Sequence, residues 1–209
     1  VPKRVNSSMA KTYTVFPDIV FEGSLPLTSE IESQLNAAIT TEANSGSVEE
    51  TNYGFCTNKF VPLNKPLQNL QQVLLNAYFA EAKKHLPYLE TTKSQIELVR
   101  SNLLSINPKC NIPAMFERQR YYSGCIWLQA TNKSSHLYIE CPQGKTYSTP
   151  LGLIDYNHYI KPAKYKYAFW PSHLNAGFTP NNSMAPCVVM QYTFTVAVPW
   201  DGSPPPQKE

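Results

Sequence analysis

The stretch Pro113-Ala-Met115-Phe-Glu117-Arg118-Gln119-Arg120-Tyr121-Tyr122-Ser123-Gly124-Cys125-Ile126-Trp127-Leu128 decides how this chain is read. Tyr121 to Gln129 is rich in aromatic and β-branched residues and reads as a strand. Just before it, Glu117 and Gln119 alternate with Arg118 and Arg120, the period-two pattern of a polar strand face. Outward from this stretch the same pattern continues. Val99 to Ile106, His136 to Glu140, Tyr159 to Ile160, Lys166 to Trp170 and Val188 to Val198 all read as strands, broken by Pro, Gly and Asn turns.

Upstream the pattern is mixed. Thr12 to Phe16 and Asp18 to Glu22 alternate as short strands, and Ser29-Glu30-Ile31-Glu32 supplies a capping box for a helix ending near Ser45-Gly46. Ile31, Leu35, Ala38 and Ile39 give that helix one apolar face. A polar loop holding Thr51-Asn52-Tyr53-Gly54-Phe55 follows. Asn64 and Pro66 then start a second helix whose stripe is Leu67, Leu70, Val73, Leu74, Ala77 and Tyr78, with Pro87 beyond His85 as its stop. Helices first and antiparallel strands afterwards predict an α+β domain, a β-sandwich or jelly roll with two N-terminal helices on one face.

With 209 residues the chain can bury one substantial core, and no composition shift marks a second domain. The expected organisation is an N-terminal arm over 1–11, flexible or bound to a neighbour, one domain over 12–199 and an extended tail over 200–209. Pro204-Pro205-Pro206 bars the tail from a sheet, and Met9-Ala10-Lys11 at the first patterned segment marks Val1 to Ser8 as an extension. A net charge of +3 is too mild to point to nucleic acid. No apolar run has membrane-spanning length and no secretory signal is read, so the expected location is a virion or a host cytoplasm. Cys56, Cys110, Cys125, Cys141 and Cys187 are odd in number and lack any C-x-x-C pair, which predicts free thiols rather than a zinc site or a disulfide framework. Asn6-Ser7-Ser8, Asn132-Lys133-Ser134 and Asn181-Asn182-Ser183 match the short glycosylation sequon, a pattern with little weight in the absence of a signal.

The order Val15-Phe16-Pro17, Glu22-Gly23, capped helix, Thr51-Asn52-Tyr53-Gly54, second helix, Ser101 to Asn107, Tyr122-Ser123-Gly124 to Leu128, Phe169-Trp170-Pro171-Ser172 and Tyr192 to Val196 resembles the iron and 2-oxoglutarate dependent oxygenase superfamily. In particular it is similar to a group of oxygenases frequent in marine bacteria and their phages. The resemblance spans Tyr13 to Pro199 and implies a double-stranded β-helix. It also implies a facial triad of two His and one carboxylate on iron. Aligning Ser123-Gly124 with the family's Ser-Gly places the first two ligand positions at Met115 and Glu117 and the distal one at Ala176, with His173 about three residues early. The family's basic anchor for 2-oxoglutarate, near the final strand, has no counterpart either, because no Lys or Arg lies between Lys166 and Lys208.

Lost metal and cosubstrate residues predict a non-catalytic structural or interaction protein, a virion component such as a capsid, neck or tail accessory, with protein neighbours and no cofactor. Arg118, Arg120, Tyr159, Tyr165 and Tyr167 form its candidate partner surface, and strand alternation accounts for the interleaved Lys161, Lys164 and Lys166 without nucleic acid. The alternative is an iron(II) and 2-oxoglutarate dependent dioxygenase with an atypical site, using Glu117 and His173 with His136 or His158. His158 could also join Asp155 in a metal site, although turn-satisfying polar residues are the commoner case. A lectin-like or small-ligand pocket inside the β-helix is a third possibility to which no residue set gives an identity. No nucleophile elbow or glycine-rich phosphate loop is present in a chain with 8 Gly.

Overall fold

A computed structural model of the chain describes residues 11–15, 18–45, 48–85, 95–115, 122–140, 148–149, 152–153 and 157–197. The expected arms lie outside these residues except for Lys11. The stop at Pro87, the first sequon and Cys141, Asp155, Glu117, Arg118 and Arg120 also fall outside them. In chain order the elements are β1 (Lys11–Val15), β2 (Asp18–Ser24), α1 (Ser29–Ala43), β3 (Val48–Thr51), β4 (Gly54–Thr57), α2 (Lys65–His85), β5 (Gln95–Ile106), β6 (Ile112–Met115), β7 (Tyr122–Gln129), β8 (Leu137–Ile139), β9 (Ser148–Thr149), β10 (Gly152–Leu153), β11 (His158–Ile160), β12 (Lys166–Pro171), β13 (Ala176–Phe178) and β14 (Cys187–Ala197).

Two antiparallel sheets face each other, and β9 pairs with β10 in a separate two-stranded one. The larger has eight strands in the order β1-β2-β12-β7-β14-β5-β4-β3 and the smaller has four, β11-β8-β13-β6. Their interleaved connectivity is that of a double-stranded β-helix, so the α+β jelly-roll expectation holds. The structure adds three features to the sequence reading. The supposed polar loop around Tyr53 is the β3–β4 hairpin, which pairs with the far end of β5 through Gly54↔Ile106, Phe55↔Ser105 and Cys56↔Leu104. Where β4 leaves that edge, the Thr57 hydroxyl accepts the Leu103 N–H at 2.9 Å. β6 and β13 are further strands, too short to show a period, and both belong to the smaller sheet.

The larger sheet is buried on both faces, so its central strands do not alternate apolar with polar. One face carries the helices: Leu103, Ile126, Leu128, Phe169, Val188, Met190, Tyr192 and Phe194 pack with Leu35, Ile39, Leu67, Leu70, Leu74 and Tyr78. Tyr78 is fully buried and acts as an aromatic plug, with ring centroids 4.7 Å from Phe194, 5.3 Å from Phe169 and 5.7 Å from Phe21. The other face, carrying Leu104, Cys125, Trp127, Ala168, Trp170 and Val189, packs against Ile112, Leu137, Ile139, Ile160 and Phe178 of the smaller sheet.

The helix starts and faces need local correction. Thr28, not Ser29, caps α1, its hydroxyl accepting the Ile31 N–H at 3.4 Å. Asn64 does precede α2, but its side-chain amide donates to the Ala38 carbonyl while its backbone N–H donates to Glu42, tying the two helices together. Ile31 and Val73 are exposed at 42% and 51%, and Glu42, Gln71, Leu75 and Ala82 are buried in the helix faces. Each expected stripe is therefore rotated slightly from the one the helix uses.

Gly124 is set by packing. On β7 it lies opposite Tyr192 of β14, and a Cβ there would fall 2.5 Å from Cε2 and 2.6 Å from Cζ of that ring. Tyr192 is 1% exposed beneath the helices and has no room to withdraw. Gly124→Ala is expected to destabilise the fold by about 1–3 kcal/mol through overpacking, read as a lower urea midpoint at unchanged m-value.

Candidate functional site

The cavity of the β-helix lies between the sheets at one end and measures about 450 Å³. Strand register builds its wall from the larger sheet in rows. Arg100 on β5 pairs with Thr193 on β14, Thr193 with Ser123 on β7, and Ser123 with Trp170 on β12. All four line the cavity. Two residues deeper the row is Asn102, Gln191, Cys125 and Ala168, and two deeper again Leu104, Val189 and Trp127. Along β5, β14 and β7 the interior thus passes from an apolar floor to a polar mouth, while Trp170 of β12 adds an aromatic wall beside Ser123.

Hydrogen bonds fix this mouth. The Arg100 Nε–H donates to Thr193 Oγ1 at 3.3 Å, and the Ser123 and Ser172 hydroxyls are paired at 2.8 Å. Asn102 Nδ2 donates to Cys56 Sγ at 3.2 Å. Tyr53 and Lys59 from the β3–β4 hairpin region complete that side. Burial, with Cys56 next, raises the Tyr53 phenol above its ordinary pKa, so Tyr53 is neutral near pH 7. Lys59 and Arg100 carry the only charges among the described lining residues, which hold no Asp, Glu or His.

The smaller sheet closes the opposite side. Met115 at the end of β6 and Ala176 at the start of β13 are direct cross-strand partners, and both line the cavity. Thus two of the three positions aligned with iron ligands meet in space, while Glu117 lies outside the described residues. Gly177 permits this closeness: a Cβ would meet the β6 backbone at 2.6 Å from the Ile112 carbonyl oxygen and 2.7 Å from the Ala114 nitrogen. A thioether and a methyl group are not the donors ferrous iron takes. Among the described residues no group of three His, Cys, Asp or Glu could hold a metal ion. The described lining of this cavity does not fit iron.

The other predicted residues are dispersed. His173 is exposed in the turn between Ser172 and Leu174 and does not line the cavity, although both its neighbours do. His136 precedes β8 and His158 opens β11, and neither reaches the cavity. The atypical histidine set is therefore not assembled there. The partner surface also needs correction. Tyr165 and Tyr167 are only 5% and 7% exposed and belong to the helix-side core, Tyr167 packing over Gly23. Of the three tyrosines only Tyr159, 44% exposed, is on the surface. Cys56, Cys110, Cys125 and Cys187 are free thiols, as expected, and burial drives Cys125 well above its ordinary pKa and Cys187 up to about 11. Asn181 of the third sequon is fully buried and donates to the Ile106 and Ala185 carbonyls, a structural role that leaves no room for a glycan.

Sequence reasoning missed Arg100. A search for a basic anchor along the final strand finds none, but Arg100 stands beside that strand, in register with Thr193. The available signal was the antiparallel pairing of β5 with β14, which places inward-facing residues of both strands on one wall.

No family model matches the chain and no curated protein does. Solved structures do match. A prolyl-4-hydroxylase from Pseudomonas putida has 10% identity and a TM-score of 0.58, covering 84% of this chain and 91% of its own. A 2OG-Fe(II) oxygenase family oxidoreductase from Burkholderia pseudomallei has 10% identity and a TM-score of 0.56, over 83% and 84% of the two chains. AviO1 from Streptomyces viridochromogenes has 12% identity and a TM-score of 0.56, over 89% and 91%. At this level of identity the likeness is one of fold. The chain has the double-stranded β-helix of the 2-oxoglutarate and iron oxygenases, as its sequence resemblance implied.

The off-site histidines leave a mark on stability. Burial above all lowers the pKa of His158, with Glu22 opposing and Lys166 reinforcing the shift, and burial with Lys161 and Lys166 lowers that of His136. In the unfolded chain both take protons near their ordinary value of about 6.5, before the folded forms do, so their contribution is complete above that pH and is lost as pH falls through the folded values. Urea titrations across this window are expected to show the decline, with a shallower slope in His158→Gln.

Proposed function

We propose that this chain is a non-catalytic structural or interaction protein built on an oxygenase-like β-helix. The carrying observation is the register pair Met115↔Ala176 within a described cavity wall that has no histidine or carboxylate. Function resides in the site rather than in the fold, and the donors needed for an iron triad are absent from two of its three aligned positions. Sequence resemblance to a group frequent in marine bacteria and their phages supports a narrower reading as a virion component, such as a capsid, neck or tail accessory. In that setting the chain would meet protein neighbours, with Tyr159 on its exposed surface, and would need no cofactor. No helix among the described residues is long and apolar enough to cross a membrane, a statement that does not extend to β-barrels.

Anaerobic reconstitution with ferrous iron and 2-oxoglutarate, followed by metal analysis and oxygen-uptake measurement, tests the reading. The expected result is no stoichiometric iron and no 2-oxoglutarate consumption. One iron per chain with turnover would instead establish the atypical dioxygenase. A gain-of-function arm tests the assigned positions: Met115→His combined with Ala176→His places two imidazoles at cross-strand partner positions, with Glu117 two residues further along the sequence from the first. This double variant is expected to bind cobalt(II), seen in its visible d–d bands, whereas the parent does not. A cobalt-free double variant with native circular dichroism would show that these are not the metal positions.

A further inference from the structure

The outer face of the smaller sheet carries a set of polar and aromatic side chains that the cavity does not use. Leu137, Ile139 and Ile160 turn inward to the core, so alternation turns His136, Tyr138 and Glu140 at β8 and Tyr159 and Lys161 at β11 outward. Register then sets them in rows. The middle row is aromatic: Tyr159 lies opposite Tyr138, with ring centroids 6.3 Å apart and planes tilted by 34°, and Tyr138 lies opposite Gly177 of β13. One flanking row joins Glu140 to Asn175 and the other joins His136 to Thr179, each through a backbone hydrogen bond. We infer that this face binds an uncharged oligosaccharide of pyranoses with equatorial hydroxyls, stacked on Tyr159 and Tyr138 and hydrogen-bonded by the rows on either side.

Each part of such a ligand has a counterpart here. A pyranose with equatorial hydroxyls presents flat faces of polarised C–H groups, and the π face of a tyrosine carries the partial negative charge that attracts them. Its rim of hydroxyls both donates and accepts, which suits the Asn175 amide, the Thr179 hydroxyl, the Glu140 carboxylate and a neutral His136 ring. Burial first, and Lys161 next, lower the His136 pKa, so that ring is neutral near pH 7. The groups are ordered before a ligand arrives. Asn175 Nδ2 donates to Glu140 Oε2 at 2.9 Å, the Thr179 hydroxyl accepts the His136 N–H at 2.9 Å, and the Tyr138 hydroxyl accepts the Ala114 N–H at 2.8 Å. Such preordering reduces the entropic cost of binding. Tyr159 is 44% exposed, and Tyr138, Glu140 and Asn175 are half-buried. Other ligand classes fit this face less well. Nucleic acid needs an excess of positive charge, whereas Lys161 is balanced by Glu140 among the described residues of the face. An apolar protein surface would strip water from the flanking rows without replacing its hydrogen bonds.

The site involves neither the cavity nor a metal, so it goes beyond the non-catalytic reading without depending on it. Calorimetric titrations of the full chain in EDTA use cellopentaose, a β-linked oligoglucuronate and an oligothymidylate. Cellopentaose is expected to bind saturably and at least about tenfold more tightly than either polyanion, equivalent to about 1.4 kcal/mol. Tyr159→Ala is expected to weaken cellopentaose binding by a similar factor, and Tyr159→Phe, which keeps the ring, to retain it. The inference is overturned if cellopentaose does not bind, if either polyanion binds as well, or if natively folded Tyr159→Ala binds unchanged. An oligomer in sedimentation that Tyr159→Ala abolishes and cellopentaose leaves intact would overturn it too, making the face a protein interface. Should Tyr159→Ala fail to fold, hydrogen exchange of the native chain decides: protection gained with cellopentaose over 136–140 and 157–161 supports the site, and unchanged exchange there overturns it.

Discussion

Antiparallel register between β5 and β14 is the constraint on which the rest of this protein depends. It runs from Cys187↔Ile106 to Ala197↔Gln95, with one irregularity at Thr193/Phe194. Because successive residues on a strand point to opposite faces, this pairing assigns every side chain in the central sheet to the helices or to the cavity. Val188, Met190, Tyr192 and Phe194 go to the helices, and Val189, Gln191 and Thr193 to the cavity side. A slip of one residue would exchange the two sets, bringing Gln191 and Thr193 beneath α2 and large apolar side chains into the cavity.

The same parity explains how one fold carries both a dense core and an open interior. On the helix side, aromatic rings close round Tyr78, and Gly124 makes space for Tyr192. On the cavity side of β7, side chains shrink and become polar toward the mouth, from Trp127 through Cys125 to Ser123. The smaller sheet closes over this gradient, with Gly177 admitting β13 against β6. Space, a cation and hydrogen-bonding groups are thus present together, while the facing pair Met115 and Ala176 offers iron nothing to hold it.

Much of the fold was legible in the sequence because β5, β7, β12 and β14 and both helices are long enough to show their periods. The missed elements are short or polar: β4, β6, β9, β10 and β13, and the Val48–Thr51 strand, whose Glu49 and Glu50 are exposed on the sheet edge. Tyr165 and Tyr167 were misplaced because alternation usually implies one wet face, and this sheet has none near them. The positions of Met115 and Ala176 could be proposed from spacing, but their pairing required the smaller sheet. Arg100 was invisible to a search along the final strand because its neighbourhood is made by pairing across 93 residues of sequence.

Anomalous diffraction at the iron edge from crystals soaked anaerobically with ferrous iron tests the account most directly. The account predicts no anomalous peak between Met115 and Ala176, and native packing of the cavity wall round Arg100. An ordered iron there, held by Glu117 or by any histidine of the chain, would contradict it.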